Sequence, residues 1–234
     1  MSLSGKNILV VGASSGIGKS VAELSLEKGA NVYVASRNQP NLQGANYISL
    51  DVTQMESELD DLPEVLHGVV YAPGSINLKP FHRLKKDDFQ KDLDINLFGA
   101  IKVLQACMTR LKKAEGASVV MYSTVAVNMG MNFHSAVATA KGAVEGLAKS
   151  LAAEWAPMGI RVNVLAPSLT ETPLADRLLA TDDKKEASNK RHPIGRYGQP
   201  ADLGHMTALL LSDEGSWITG QIIGVDGGLS TLRT

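Results

Sequence analysis

A glycine-rich turn near the start of the chain constrains its fold more than any other feature. An apolar run over residues 8–11 leads into Gly12, and Gly16 and Gly18 follow before an amphipathic helical pattern begins. Glycine costs conformational entropy, so this density indicates backbone that adopts positive φ or approaches another group closely. The pattern predicts a strand, a tight turn and a helix whose N-terminal N–H groups suit a pyrophosphate. An ordinary βα turn is the alternative, and only the rest of the chain can decide between the two.

Length, charge and apolar content exclude several classes of protein. A chain of 234 residues with 44% hydrophobic residues suffices for one α/β domain with a full core. Its 23 basic and 24 acidic residues give a net charge of -1, so nucleic acid is not an expected partner. Cys107 lies in an apolar stretch typical of a buried helix. No stretch reaches the roughly 18 apolar residues of a membrane span, so we expect a cytoplasmic protein without membrane contact.

Apolar runs alternate with helical patterns along the chain. Strands are predicted at residues 8–11, 31–35, 47–50, 67–71, 118–122 and 160–165 and within 217–228. Helices are predicted after Gly18 and over residues 95–111, 137–155 and 200–211, with only a short crossover helix between the third and fourth strands. The alternation predicts a single-domain, Rossmann-type α/β fold, a doubly wound parallel sheet of about seven strands with helices on both faces. Residues 1–234 form one nucleotide-binding domain in this prediction, with a substrate lid at about 169–198.

Several motifs of the chain resemble those of the short-chain dehydrogenase/reductases. The G-x-x-x-G-x-G spacing matches the family's turn, with Val11 where Thr is usual. Asn96 begins an Asn-x-x-Gly element, and Pro167 begins one that is similar to Pro-Gly-x-x-x-Thr, with Ser168 for Gly. Residues 217–228 closely match the C-terminal signature. The resemblance covers nearly the whole chain and implies an NAD(P)-dependent oxidoreductase that acts on an alcohol or carbonyl group.

The end of the second predicted strand indicates which dinucleotide binds. NAD enzymes place an acidic residue there on the ribose 2′-hydroxyl, whereas this chain has Ser36 and Arg37 and no Asp or Glu between Glu27 and Asp51. The planar guanidinium can pair with a 2′-phosphate, so NADP is predicted rather than NAD, the alternative being an ordinary surface arginine. The resemblance implies the following cofactor-binding residues: Gly12, Ser14, Ser15, Gly16, Ile17, Gly18, Ser36, Arg37, Asp51, Val52, Ala72, Gly74, Lys141, Pro167, Thr170 and Thr172.

The catalytic set of the family is Asn, Ser and Tyr-x-x-x-Lys. The resemblance assigns Asn96 and Lys141, and an ungapped alignment places Thr124 rather than Ser123 at the serine position. The residue four before the lysine is Val137, so the expected tyrosine is absent. Its phenol would exchange a proton with the substrate oxygen, and such general acid/base catalysis contributes about 10²- to 10⁴-fold.

Several protic residues are candidates to replace the missing tyrosine. If the helix extends one turn back, His134 lies about 20° from Lys141 on a helical wheel, on the cofactor side. Histidine titrates near neutral pH, so His134 is predicted as the proton donor, although a histidine that merely caps or lines the loop is an alternative. Tyr71 and Tyr122, each at a strand end, are weaker candidates. The predicted catalytic residues are therefore Asn96, Thr124, His134 and Lys141, and no metal site is predicted.

Three functions are compatible with these motifs. They are an NADP-dependent oxidoreductase with a variant acid, a catalytically inactive NADP-binding sensor, and a purely structural oligomer. The nucleotide turn together with Asn96 and Lys141 favours the first, with a small-molecule substrate. A stripe of small residues on the helix at 137–155 and the resemblance predict a homo-oligomer, a tetramer or dimer. The stripe comprises Thr139, Gly142, Ala143, Gly146, Ser150 and Ala153.

Overall fold

One parallel sheet runs through the protein. The computed structural model describes residues 1–55 and 59–233. Its strands are β1 (Asn7–Val11), β2 (Asn31–Ser36), β3 (Asn46–Ser49), β4 (Gly68–Tyr71), β5 (Ser118–Tyr122), β6 (Arg161–Pro167) and β7 (Ile222–Val225). They lie in the order β3-β2-β1-β4-β5-β6-β7, and all adjacent pairs are parallel. The predicted α/β fold with a doubly wound sheet is confirmed. The strand order reverses between β1 and β4, which opens a crevice at the carboxyl ends of these strands.

Helices cover both faces of the sheet. They are α1 (Gly16–Glu27), α2 (Lys86–Leu93), α3 (Gly99–Lys112), α4 (Ala126–Met129), α5 (Ser135–Trp155), α6 (Asp182–Arg191) and α7 (Pro200–Leu211). Successive residues of β1 point to opposite faces, so Leu9 and Val11 join one apolar core and Ile8 and Val10 the other. The first core lies against α3 and α5, and the second lies against α1 and α7. Cys107 is fully buried in the first core, as predicted.

Three boundaries differ from the predictions. Helix α1 begins at Gly16 rather than after Gly18. The first turn of a helix tolerates glycine, because its N–H groups have no hydrogen-bond partner within the helix. The helical segment predicted from residue 95 starts at Lys86, and a π-helical turn, Asp94–Phe98, joins α2 to α3. Between β3 and β4 the described residues form turns instead of the predicted short crossover helix, and residues 56–58 lie outside the described part.

The charged excursion after β6 is folded. It contains a 3₁₀ helix, Pro173–Leu178, and α6, whose first turn is capped by the Thr181 side chain. A bridge between Thr170 and Gly198 closes its base, close to the predicted limits of 169 and 198. Its role as a substrate lid stays a prediction.

Helix α5 buries two ionisable side chains among its apolar ones. Val137, Val144 and Trp155 are buried, whereas Leu147 and Leu151 are only half-buried. Lys141 and Glu145 of the same helix are buried as well. Both have hydrogen-bond partners inside the protein, which lowers the cost of burying them. Within the described residues, none of the helices combines the length and apolarity that a bilayer span requires.

Candidate active site

Two adjoining cavities lie at the carboxyl ends of the strands. The larger, of about 600 Å³, is lined by the glycine-rich turn and the ends of β2 and β4, and we call it the nucleotide cavity. The smaller, of about 280 Å³, lies beside α5 and is called the substrate cavity. Both share walls formed by Ile17, Ala72, Gly74, Thr172 and Leu174. A ligand in one cavity therefore lies directly beside a ligand in the other.

The structure places most of the predicted cofactor-binding residues around the nucleotide cavity. These are Gly12, Ser14, Ser15, Gly16, Ile17, Gly18, Ser36, Arg37, Asp51, Val52, Ala72, Gly74 and Thr172. The remaining three, Lys141, Pro167 and Thr170, line the substrate cavity instead. All of the first group except Thr172 end or follow β1, β2, β3 or β4, whereas the second group and Thr172 belong to α5 or to the end of β6 and the loop after it.

The glycines of the turn are required by close contacts. Gly12 has φ +81°, and a Cβ atom there would lie 2.8 Å from the backbone nitrogen of Pro73. A Cβ atom on Gly18 would overlap the carbonyl oxygen of Gly12. Ser15, at the N-cap of α1, makes no side-chain cap hydrogen bond. The first turn of α1 therefore has no side-chain cap and borders a glycine-lined cavity, which fits the pyrophosphate of a dinucleotide.

The wall of the nucleotide cavity beyond the ends of β2 and β3 carries one positive and one negative side chain. Arg37 is exposed there, while the buried Ser36 hydroxyl donates to the carbonyl oxygen of Asn38 at 2.8 Å. Asp51 accepts hydrogen bonds from the hydroxyl and the backbone N–H of Thr53, at 2.7 and 2.9 Å. These bonds, with a smaller contribution from Arg37, hold the pKa of Asp51 below its usual value. A charged guanidinium and an ionised carboxylate thus line the same wall.

Lys141 is buried where the two cavities meet. Its Nζ donates to the carbonyl oxygen of Tyr122 at 2.8 Å. Burial lowers the pKa of Lys141 to about 8, and the negative charge of Asp92 partly opposes the shift. The ammonium group is therefore charged at neutral pH and close to losing its proton in mild alkali.

A buried polar cluster lies next to Lys141. Asn96, in the π-helical turn, donates to the carbonyl oxygen of Asp92 at 2.8 Å and to the Ser75 hydroxyl at 3.0 Å. The Ser75 hydroxyl donates in turn to the Asp92 carboxylate. Burial raises the pKa of Asp92, against the opposing effects of Ser75 and Lys141. A Cβ atom on Gly74 would lie 3.4 Å from Asn96 Oδ1 and 3.7 Å from Lys141 Nζ, so these polar atoms surround one point.

The two other predicted catalytic residues, Thr124 and His134, line the substrate cavity together with Val137. Val137 is buried there one helical turn before Lys141, with 4% of its surface exposed. His134 is the N-cap of α5, and its Nδ1 lies 2.7 Å from the carbonyl oxygen of Asn132. Because a carbonyl can only accept, Nδ1 carries a proton and Nε2 is left for other partners. Thr124 accepts from the backbone N–H of Ala126 at 3.3 Å, which leaves its own O–H to donate.

The two tyrosines considered as weaker proton donors are committed elsewhere. The Tyr71 phenol donates to the carbonyl oxygen of Ile95, and the Tyr122 phenol is 2.6 Å from the Thr207 hydroxyl. Burial raises the pKa of both phenols. Both hydroxyl groups are held inside the two apolar cores, which makes them poor acids for a substrate.

Sequence reasoning missed several polar residues of the substrate cavity. Ser168 Oγ lies 2.8 Å from Nε2 of the buried His192, and the hydroxyl of the buried Ser123 donates to Glu145. These pairs join segments far apart in the chain, and no local motif marks them. For Asp92, a signal existed: it is four residues before Asn96, on the same side of a helix. In the described part of the chain, no three His, Cys, Asp or Glu side chains are arranged to hold a metal ion.

Comparison with known proteins agrees with this architecture. A family model described as enoyl-(acyl carrier protein) reductase matches residues 12–230. A 3-oxoacyl-[acyl-carrier-protein] reductase of Thermotoga maritima is 32% identical over 250 residues, covering 98% of this chain and 99% of the relative. The chain belongs to the short-chain dehydrogenase/reductase family. It is accordingly an oxidoreductase of the NAD(P)-dependent kind.

Solved short-chain dehydrogenase/reductase structures superimpose closely on the chain. An aldohexose dehydrogenase of Thermoplasma acidophilum has a TM-score of 0.88 at 29% identity, covering 99% of this chain and 98% of that one. A candidate NAD(P)-dependent gluconate 5-dehydrogenase of Beutenbergia cavernae, solved with bound NADP at low occupancy, has a TM-score of 0.91 at 28% identity. That likeness covers 97% of this chain and 98% of that one. The short-chain family thus accounts for the whole fold.

Proposed function

We propose that the protein is an NADP-dependent short-chain oxidoreductase that interconverts an alcohol and a carbonyl group with a variant active site. The observation that carries this proposal is the meeting of the nucleotide and substrate cavities at Gly74, beside Lys141. When bound, the nicotinamide supplies or accepts the hydride. A cavity of about 280 Å³ next to it suits a small molecule. The alternative is an NADP-binding sensor without chemistry, which the valine at position 137 favours.

Each proposed catalytic residue has a role that its contacts support. Lys141 orients the nicotinamide ribose with the N–H groups that Tyr122 does not use. Asn96 holds Ser75 and the Asp92 carbonyl in place. The Thr124 hydroxyl donates a hydrogen bond to the reacting oxygen. His134 gives that oxygen its proton in the reductive direction.

NADPH is expected to bind more tightly than NADH. Arg37 lines the nucleotide cavity near Ser36, and its guanidinium can form charge-assisted hydrogen bonds to a 2′-phosphate. Arg37→Ala should weaken NADPH binding by about 10- to 100-fold and leave NADH binding nearly unchanged. Fluorescence titration of each cofactor measures both affinities.

Arg37→Lys is the matched control for this prediction. It keeps the charge but loses the planar fork, so its NADPH affinity should lie between those of the wild type and Arg37→Ala. Equal wild-type affinities for NADPH and NADH would contradict NADP dependence.

Carbonyl reduction is expected to depend on His134. Nε2 of this residue is free of the bond that Nδ1 makes to the Asn132 carbonyl oxygen, so it can face the reacting oxygen. His134→Ala should reduce the rate by about 10²-fold or more, because the proton donor is lost. Steady-state NADPH oxidation with a substrate that the wild type turns over measures the loss.

His134→Gln retains a polar group at the same place and is the control for side-chain loss. Wild-type rates in His134→Ala would show that the acid lies elsewhere. If a broad panel of carbonyls and alcohols shows no turnover while NADPH still binds, the sensor function is the better proposal.

Assembly and location stay predictions. The small-residue stripe on α5 lies toward solvent, with Thr139, Gly146, Ser150 and Ala153 exposed. A flat face of this kind allows close helix packing between subunits, which supports the proposed homo-oligomer. A cytoplasmic location is proposed on the sequence alone.

A further inference from the structure

Three serine hydroxyls line the substrate cavity, and each has a buried acceptor behind it. The serines are Ser75, Ser123 and Ser168, and their acceptors are Asp92, Glu145 and His192. All three acceptors are at least 92% buried, from exposures of 1%, 8% and 3%. A hydroxyl has one hydrogen to donate and two sites that accept. The direction of each bond therefore decides what the serine can offer to a ligand.

Ser75 has one accepting site left. Its hydrogen is used on the Asp92 carboxylate, and one of its accepting sites takes the amide hydrogen of Asn96 at 3.0 Å. The bond to Asp92 keeps this direction in either protonation state of the acid, because Oδ2 has no partner among the described residues and can carry the proton. Ser75 can therefore accept a hydrogen bond from the cavity but cannot donate one.

Ser168 is oriented in the same way. His192 Nδ1 lies 2.7 Å from the carbonyl oxygen of Ser188, which can only accept, so Nδ1 carries a proton. The Ser168 hydroxyl lies 2.8 Å from Nε2 and 3.4 Å from the Asp226 carbonyl oxygen, so its hydrogen goes to Nε2 where that atom accepts and to the Asp226 carbonyl otherwise. Ser168 therefore also offers the cavity accepting sites only.

The cavity also contains hydrogen-bond donors. The Thr124 O–H and the remaining N–H groups of Lys141 can donate to a substrate oxygen. Asn96 links Ser75 to this end of the cavity, because it donates to the Ser75 hydroxyl at 3.0 Å and the Gly74 Cβ position would be 3.4 Å from Asn96 Oδ1 and 3.7 Å from Lys141 Nζ. A substrate whose reacting oxygen accepts from Thr124 beside Lys141 thus has the accepting Ser75 nearby.

We propose that the substrate carries a second hydroxyl group on the carbon next to the reacting one, as a vicinal diol when oxidised and an α-hydroxy ketone when reduced. Ser75 accepts the hydrogen bond of that hydroxyl, and Ser168 accepts from a further one. A group that only accepts, such as a second ketone or an ether, leaves these serines unpaired, which a closed site penalises. This inference rests on the proposed oxidoreductase function and names its substrate class.

The rest of the cavity limits the body of the substrate. Most of its other walls are apolar side chains, among them Ile76, Leu78, Met131, Leu169, Leu174 and Leu178, and the exposed Arg191 adds one positive charge. A compact hydrocarbon ring or short chain that bears the two neighbouring oxygens matches the apolar walls better than a fully hydroxylated molecule. The simplest probe with this chemistry is trans-cyclohexane-1,2-diol, with cyclohexanol as its counterpart that lacks the second hydroxyl.

The test compares the two probes in oxidation with NADP⁺, and 2-hydroxycyclohexanone with cyclohexanone in reduction with NADPH. We expect kcat/KM at least tenfold higher for the diol and for the hydroxyketone. Ser75→Ala should remove most of this preference by lowering kcat/KM for the diol about tenfold more than for cyclohexanol. Ser168→Ala provides a second variant if the loss of Ser75 disturbs folding around Asp92. Ser216→Ala, an exposed serine whose side chain forms none of the cavity contacts, is the matched control.

Calorimetric binding of both probes to the NADP⁺-loaded protein separates this inference from the proposed function. Without any turnover, tighter binding of the diol that Ser75→Ala weakens would still support the accepting serines, although the oxidoreductase proposal would fail. Equal binding and equal turnover of diol and cyclohexanol would overturn the inference while leaving the oxidoreductase proposal in place. An equal effect of Ser75→Ala on both probes would overturn it as well.

Discussion

Val137→Tyr is expected to raise the rate of carbonyl reduction by about 10²- to 10⁴-fold. Val137 lines the substrate cavity one turn before Lys141, so a larger side chain at this position extends into space that is already open. The new phenol would be close to the Lys141 ammonium, whose charge favours the phenolate and so makes the phenol a stronger acid. NADPH oxidation by the variant and the wild type, with the same carbonyl substrate, measures the gain.

Val137→Phe is the matched control, because it fills the same space without a hydroxyl. Its rate should stay at or below that of the wild type, since extra volume alone supplies no proton. Similar rates for the two variants would contradict a missing proton donor at position 137. A gain specific to tyrosine would also show that the remaining residues are already arranged for hydride transfer.

Lys141→Met is expected to stabilise the protein at pH 7 while removing its activity. Burial lowers the pKa of Lys141 from 10.5 to about 8, so charging this lysine costs more in the folded than in the unfolded state. Between these two pH values the unfolded chain binds more protons, and the stability of the wild type therefore rises with pH. Methionine avoids the cost, which gives about 1 to 3 kcal/mol at pH 7, a gain that shrinks as the pH approaches 10.5.

Denaturant unfolding at several pH values measures this gain in the free energy of unfolding. The lower end of the expected range allows for Asp92, which loses its neighbouring positive charge in the variant. The double variant with Asp92→Asn removes that charge as well and should recover the full gain at pH 7. Turnover should fall by about 10²-fold or more in Lys141→Met and less in Lys141→Arg, which keeps a cation. A methionine variant that is less stable than the wild type at pH 7, alone and with Asp92→Asn, would show that the lysine is not buried at a cost.

The elements around the nucleotide cavity can be predicted from local sequence. Gly12 and Gly18 are needed because a side chain at either position would collide with neighbouring backbone, and such a requirement is visible in the sequence as glycine. The strands are apolar on both faces because helices cover the sheet on both sides, so short apolar runs mark them. Gly18 meets Gly12 within the turn and Gly12 meets Pro73 just after the adjacent strand β4, but in both cases the requirement leaves a glycine that is visible in the local sequence. The predicted fold is therefore confirmed almost element by element.

The sequence by itself also predicted the two polar residues, Asn96 and Lys141, that lie beside Gly74 in the structure, because both belong to motifs with a regular spacing. Only the tertiary structure decided how their surroundings are arranged. Ser75 meets Asp92, Ser123 meets Glu145 and Ser168 meets His192 across 17, 22 and 24 residues of chain. Each pair joins two elements that the order of the strands brings together, and the direction of its hydrogen bond depends on a partner that no local pattern identifies. Burial of Lys141 and Glu145 has the same origin, because a charged side chain enters the interior only where distant parts of the chain provide its partners.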